Sequence, residues 1–276
     1  MWIADGTTGP YTVRNSSFDV ASLDPSDRRV EVLYPDAGAQ KRFPLLVYAH
    51  GGKMTPASTW YSKLGPELAS WGYVVAFPNS CQYGCENPNG SPRSFGRYFT
   101  QLLLVLQWAH TEEASGLPTN LAAGVGLAGH SLGAQAALVS SASAKYVAAY
   151  KLRAVVLHHP YKGPQQSPRS RVPILTFTGT ADTAVPAAWA RQIYSVAGES
   201  GTPRGFASRN GANHYAPCIA HHAISFSTVA WLKLFVDDTP RAHGVDWDAV
   251  VFGNGSRSVC GGGGGAMYEC RMDRGH

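Results

Sequence analysis

Long apolar runs are missing. No stretch approaches the roughly 18 consecutive apolar residues of a membrane-spanning helix, so no membrane span is expected. Charge is sparse as well, at 15% Asp, Glu, Lys and Arg, and 23 basic against 18 acidic residues leave a net charge of only +5. The pI is near 9.0. The basic residues form no run, so a nucleic-acid partner is not expected, and attraction to negative surfaces would be weak and unspecific. The pairs His158-His159 and His221-His222 lack a metal-ligand spacing, so neither a metal site nor another cofactor is expected. No internal repeat divides the chain, and residues 261–265 are the one low-complexity stretch. The opening Met1-Trp-Ile-Ala-Asp-Gly lacks the pattern of a signal peptide. It fits an intracellular protein or a processed form preceded by Met1.

What is present is enough to build one full-sized domain: 276 residues, 44% of them hydrophobic. Short β-branched or apolar runs at 13–18, 29–34, 43–49, 73–77, 125–128, 154–157, 174–178 and 205–208 read as strands. Stretches 60–71, 94–110, 132–146, 187–196 and 225–236 read as helices, the run Leu102-Leu-Leu-Val-Leu106 being helix core. Their alternation predicts an α/β fold, with a mostly parallel twisted sheet covered by helices on both faces. The first strands, joined without helices, would form an antiparallel edge. A single domain over 1–240 and a C-terminal tail over 241–276 packed on it are expected, with Met267 and Tyr268 as packing residues.

Chemistry concentrates in three places. Gly129-His130-Ser131-Leu132-Gly133 lies between the strand candidate Val125-Gly-Leu-Ala128 and a small-residue helix. With 30 glycines in the chain a bare G-x-S-x-G is weak, but strand before and helix after are the context of a strained nucleophile elbow. Asp182 follows the strand candidate 174–178 in Gly179-Thr-Ala-Asp182-Thr-Ala-Val-Pro186, and His214 follows 205–208 in Gly211-Ala-Asn-His214-Tyr-Ala-Pro217. Alone, Asp182 could be a helix N-cap and His214 a loop histidine. Asp237 and Asp238, rival acids, end a helix and read as a solvated terminus. In the order Ser, Asp, His, each just past a strand, Ser131, Asp182 and His214 read as nucleophile, orienting acid and base. The strand 43–49 runs into His50-Gly51-Gly52, and the N–H groups of Gly52 and Leu132 are the expected oxyanion hole. His130 flanks the nucleophile but points the wrong way to be the base.

Five cysteines suggest two staples. Cys81 and Cys85 bracket a Tyr-Gly turn, Cys260 and Cys270 bracket the glycine run, and each pair would close a small loop in an oxidising compartment. Zinc held by all four is the rival reading, which these spacings suit poorly. Cys218 is left over, and a buried thiol is expected. The cysteines favour a secreted protein.

These blocks resemble the α/β-hydrolases of the cutinase-like, polyester-degrading group, with chlorophyllases and dienelactone-hydrolase-like esterases as wider relatives. The resemblance begins at Gly9-Pro10-Tyr11 and runs through Leu64-Gly-Pro-Glu-Leu-Ala-Ser-Trp-Gly-Tyr-Val-Val75 and the three blocks above to Trp231-Leu-Lys-Leu-Phe235. It implies the α/β-hydrolase fold without a lid domain, and a serine esterase acting through Ser131, His214 and Asp182. The substrates implied are short-to-medium acyl esters and polyesters such as cutin or polyethylene terephthalate, with the protein working as a monomer. Leu132 stands where that group usually has Met, and Gly52 where many have a cleft Tyr, whose space Met54, Trp60 or Tyr61 could fill. Tyr161, in His158-His159-Pro160-Tyr161, stands where the group has an aromatic that packs on the acyl or aryl group. Gly51, Trp60 and His130 are further candidate substrate contacts. The loop 80–92 is longer than the group's. A specialised acyl hydrolase for chlorophyll, a phospholipid or a lactone is the alternative, and a non-catalytic binding protein a more distant one.

Overall fold

Strands that are apolar at every position must be covered on both faces, and the chain supplies them in series. The structure, a computed structural model, describes residues 8–38, 40–85, 87, 93–162, 167–199, 201–219, 222–261 and 267–275. Its strands are β1 (Thr12–Asp19), β2 (Arg29–Asp36), β3 (Leu45–Ala49), β4 (Val74–Pro78), β5 (Val125–His130), β6 (Leu152–His158), β7 (Ile174–Gly179), β8 (Arg204–Arg209), a small β9–β10 hairpin (Arg241–Ala242, Val245–Asp246) and β11 (Met267–Asp273). Nine of them form one sheet, ordered β1-β2-β4-β3-β5-β6-β7-β8-β11. The block from β4 to β8 is parallel, while β2 on β4, β1 on β2 and β11 on β8 are antiparallel. The sheet is thus mostly parallel with an antiparallel edge at β1–β2, as the sequence implies.

Helices α1 (Ala57–Trp60), α2 (Leu64–Ser70), α3 (Tyr98–Trp108), α4 (Leu132–Ala142), α5 (Ala144–Ala149), α6 (Ala187–Gly198), α7 (His222–Phe235) and α8 (Trp247–Phe252) cover it. The period-2 alternation of β3 divides the core: Leu45 and Val47 face the layer holding Leu102, Leu138 and Ile193, whereas Leu46 and Tyr48 face Leu68, Trp231 and Trp247. Leu102, Val105 and Leu106 are fully buried, so that run is helix core.

Several elements differ from the sequence reading. The stretch 60–71 is two helices, because Tyr61 leaves the helical region (φ −110°, ψ 31°) to end α1. Ser143 is extended (φ −86°, ψ 114°), its hydroxyl accepting from the Tyr146 N–H, and so it ends α4 and starts α5. Between β8 and the C-terminus the hairpin, α8 and β11 are additional. β11 alternates polar and apolar residues on an edge, with a bulge between Met267 and Glu269. Tyr268, expected to pack, is 67% exposed. Asp237 is not solvated: it pairs with Lys233, itself 4% exposed, whose ammonium also lies over the Tyr73 ring. Asp238 is exposed.

Disulfides join Cys81 to Cys85 and Cys260 to Cys270, and Cys218 is free and buried. The first closes the short loop 81–85, and Cys85 also exchanges two backbone hydrogen bonds with Ser94. The loop reaches the end of β3 through Lys53 N–H donating to the Gln82 carbonyl (3.0 Å).

The strand order reverses between β3 and β5. In open parallel sheets such a switch point opens a crevice at the strands' C-terminal ends. Ser131 follows β5 there and Gly51-Gly52 follow β3. The turn depends on two glycines: a Cβ on Gly129 would lie 2.4 Å from the Gly133 carbonyl carbon, and one on Gly133 would lie 2.2 Å from the Ala49 carbonyl oxygen. Both obstacles are backbone and cannot rotate away. Gly133→Ala is therefore expected to destabilise the fold by about 3 kcal/mol, lowering Tm by about 6 °C or more in a thermal melt. An unchanged Tm would show that β3 and α4 do not meet as described.

Candidate active site

The elbow holds Ser131 at φ 55° and ψ −118°, a conformation a side chain rarely adopts without external support. Support comes from β6 and the segment beyond it: Ser131 N–H donates to the His158 carbonyl (3.0 Å), and the Tyr161 N–H donates to the Ser131 carbonyl (3.1 Å). Ser131 is 9% exposed and His214 8%, buried but for one narrow face each.

The loops after β7 and β8 come together because Gly179 has no side chain; a Cβ there would sit 2.1 Å from the Ala212 carbonyl oxygen. Across this contact Ala181 N–H donates to the Ala212 carbonyl (3.0 Å) and Gly211 N–H to the Thr180 hydroxyl (2.8 Å). Asp182 and His214 are thereby set face to face. His214 Nδ1–H donates to Asp182 Oδ2 (2.9 Å), which turns Nε2 to the side away from the carboxylate. Asp182 Oδ1 accepts the N–H groups of Ala184 (2.9 Å) and Val185 (2.8 Å). Asp182 thus binds its own turn through one oxygen and His214 through the other. Helix α6 itself begins after Pro186, with no side-chain cap.

A second histidine shares the same oxygen: His159 Nδ1 lies 2.7 Å from Asp182 Oδ2. Burial alone would push the Asp182 carboxyl up, but the hydrogen bonds from His159, His214 and Val185 outweigh it and hold the group well below the usual carboxylate range. His159, His130 and His158 are all pushed down by burial, His158 to about 3, so these three rings are neutral at pH 7. His158 is a satisfied core histidine, bonded to the Tyr48 hydroxyl and the Thr228 hydroxyl (2.9 Å each).

His159, Asp182 and His214 are metal-binding residue types gathered within 4.8 Å. Yet both imidazoles spend the inward nitrogen on the carboxylate, and its other oxygen is filled by backbone N–H groups. Hydrogen bonding accounts for the cluster without coordination. Of the other paired histidines, His221 lies outside the described residues, as does the side chain of His222. Cys218 is no rival nucleophile: burial pushes its thiol up to about 12.

His130, expected to touch substrate, has no exposed surface. Its Nε2–H donates to the His214 carbonyl (2.8 Å), so Nδ1 accepts from the Tyr61 hydroxyl (3.1 Å). Gly51 is buried and donates its N–H to the Tyr61 oxygen (2.9 Å). The chain Gly51–Tyr61–His130–His214 thus ties the β3 loop to the β8 loop behind the site. Met54 and Tyr61 are buried in this layer and fill no open cleft. Gly52 abuts Leu132, whose Cδ1 would lie 3.0 Å from a Cβ at that glycine. Leu132 opens α4, where helix geometry leaves N–H groups without intrahelical acceptors.

Aromatic residues flank the opening. Trp60, 36% exposed, stacks on Tyr215, 49% exposed, at 6.2 Å between ring centroids, and Tyr215 meets His214 edge-on at 5.9 Å. Half-buried Tyr161 meets Trp189 edge-on at 5.3 Å. His159, Tyr215 and Trp189 were not among the sequence candidates. The position of His159 directly after β6 was the available signal, since strand ends in this architecture carry the chemistry.

The depressed Asp182 carboxyl has a thermodynamic consequence. Its stabilising contribution is full above the unfolded value of about 3.9 and is lost as pH falls toward its lower folded value. Asp182→Asn is expected to lower Tm clearly at pH 7, with the gap to the native protein narrowing as pH falls through about 4 to 3. Differential scanning fluorimetry across pH reads this. A gap that widens on acidification would contradict the charge arrangement.

The sequence matches the PET hydrolase-like family over residues 3–245. It is 27% identical over 233 residues to a bis(hydroxyethyl) terephthalate hydrolase of Streptomyces coelicolor, covering 84% of this chain and 70% of that one. To cutinase est1 of Thermobifida alba it is 26% identical over 179 residues, 64% of this chain and 56% of the relative. The elbow, the strand-end loops and this match over nearly the whole chain agree, and the chain belongs to the PET hydrolase-like family of carboxylic ester hydrolases.

Proposed function

We propose that the protein hydrolyses carboxylic esters through an acyl-enzyme on Ser131, with His214 as general base and acid and Asp182 as its orienting partner. The observation that carries this reading is the His214 Nδ1–H to Asp182 Oδ2 bond on the strand-end loops, together with a strained serine at the strand-to-helix turn. The bond leaves Nε2 as the acceptor for the Ser131 proton while the hydroxyl oxygen attacks the acyl carbon. The negative charge that develops on the carbonyl oxygen is taken by the N–H groups of Gly52 and Leu132, each such donor lowering the barrier by about 3 kcal/mol. His214 then gives its proton to the leaving alkoxide, and a water deprotonated by the same ring releases the acid. Buried Asp182 stays ionised and stabilises the imidazolium at each stage.

The rim supports the substrate class. Trp60 with Tyr215, and Tyr161 with Trp189, offer apolar faces for an acyl chain or aryl ring. Short-to-medium acyl esters, and polyesters with aromatic units, suit such a rim, and the names of the two relatives point the same way. The two disulfides suit work in an oxidising, extracellular setting.

With p-nitrophenyl esters from C2 to C16, turnover is expected to peak between C2 and C8, and Ser131→Ala to remove about 10⁴-fold or more of kcat. Ser131-dependent turnover confined to one narrow ester would favour a specialised acyl hydrolase. Undiminished turnover in Ser131→Ala would remove the proposal.

A further inference from the structure

His158 and His159 are neighbours at the end of β6, both buried, yet treated differently. Each nitrogen of His158 has a hydroxyl partner. Among the described residues the His159 side chain has one partner, the shared Asp182 oxygen, and its buried Nε2 has none. An unpaired buried nitrogen is costly, and an apolar or smaller residue would avoid it. His159 also sits at φ 46°, in the left-handed region, and its N–H donates to the Phe177 carbonyl (2.7 Å). Strain and an orphaned nitrogen are thus tolerated together at a residue whose one side-chain hydrogen bond among the described residues goes to Asp182.

Resting on the reading of Ser131, His214 and Asp182 as catalytic groups, we infer that His159 is a positioning residue. It holds Asp182 Oδ2 alongside His214 and sets the pH range in which His214 works as a base. With Oδ1 bound by Ala184 and Val185 and Oδ2 by His159, the carboxylate keeps its orientation whatever His214 does during a cycle. A second donor on Oδ2 also draws density away from the bond to His214, so an imidazolium there is stabilised less. The groups facing this pair are His130 from β5, His158 from β6 and Tyr215 beside His214, with Tyr61 beyond His130. Burial pushes His130 and His158 down and Tyr61 up, so these three are neutral around the Asp182 carboxylate.

Two variants separate donation from bulk. His159→Leu fills the space without a donor. His159→Asn places an amide N–H where Nδ1 was, tolerates the left-handed backbone and lacks the distal nitrogen. In kcat/KM against pH for p-nitrophenyl butyrate, His159→Leu is expected to move the acid limb up by about one pH unit and lower kcat about tenfold, with KM little changed. His159→Asn should recover the native limb and kcat to within about twofold. Native limbs in both variants, or equal losses in both, would overturn the inference. Proton NMR of the native and His159→Asn proteins, with ¹⁵N-labelled histidine, gives a reading that needs no activity and no leucine variant. His159→Asn is expected to lose one low-field imidazole N–H signal, that of His159 Nδ1–H, and to keep that of His214 Nδ1–H; a spectrum with no such signal lost would overturn it. Ser131→Ala run in parallel keeps the questions apart, because activity that survives it strikes the proposed function, whatever His159 does.

Discussion

Backbone meets backbone where β5 turns into α4, and the rest of the site depends on that approach. The carbonyl of Ala49 from β3 occupies the space a Cβ would need at Gly133, and Gly133 occupies the space a Cβ would need at Gly129. Close packing here puts the start of α4 against the loop after β3, so that Leu132 and Gly52 become neighbours. It also forces Ser131 into a strained conformation, held by the ends of β6 on both its N–H and its carbonyl. Steric necessity, rather than any polar preference, thus decides where the hydroxyl stands.

Hydrogen bonding then fixes what surrounds it. Four donors converge on Asp182, two from its own turn and two from histidines. Behind them the relay from Gly51 through Tyr61 and His130 to the His214 carbonyl joins loops that are far apart in sequence. The arrangement is almost dry, and in such a medium each bond is worth more and each unpaired group costs more than at the surface. Rigidity of this kind is what a site needs if Asp182 and His214 are to stay aligned through repeated proton transfers.

Much of this was legible in the residues. Strand and helix alternation, the elbow with its glycines, and the order of serine, aspartate and histidine after successive strands are local patterns, and each reads out directly. Asp182 could be read two ways because it does two things. The histidines were harder. His130 sits beside Ser131 in sequence but lies buried behind the site, because a strand sends successive side chains to opposite faces. His159 looked like half of an uninformative pair; that its neighbour turns into the core while it turns to Asp182 follows from the same alternation and the left-handed step after it. Tyr61 and Trp60, adjacent in sequence, part company at the end of α1, one to the buried relay and one to the rim. β11 escaped notice because an edge strand needs only a partner, and its partner β8 is remote in sequence. Asp237 reads as solvated at a helix end, and only the packing of Lys233 on Tyr73 shows it half-buried and paired.

The measurement that reaches the central claim most directly is labelling with a fluorophosphonate, followed by peptide mapping by mass spectrometry. The account predicts a single adduct, on the Ser131 hydroxyl, that fails to form in His214→Ala although that variant keeps the native fold by circular dichroism. An adduct on another residue, no adduct on the folded native protein, or equal labelling without the His214 ring would contradict it.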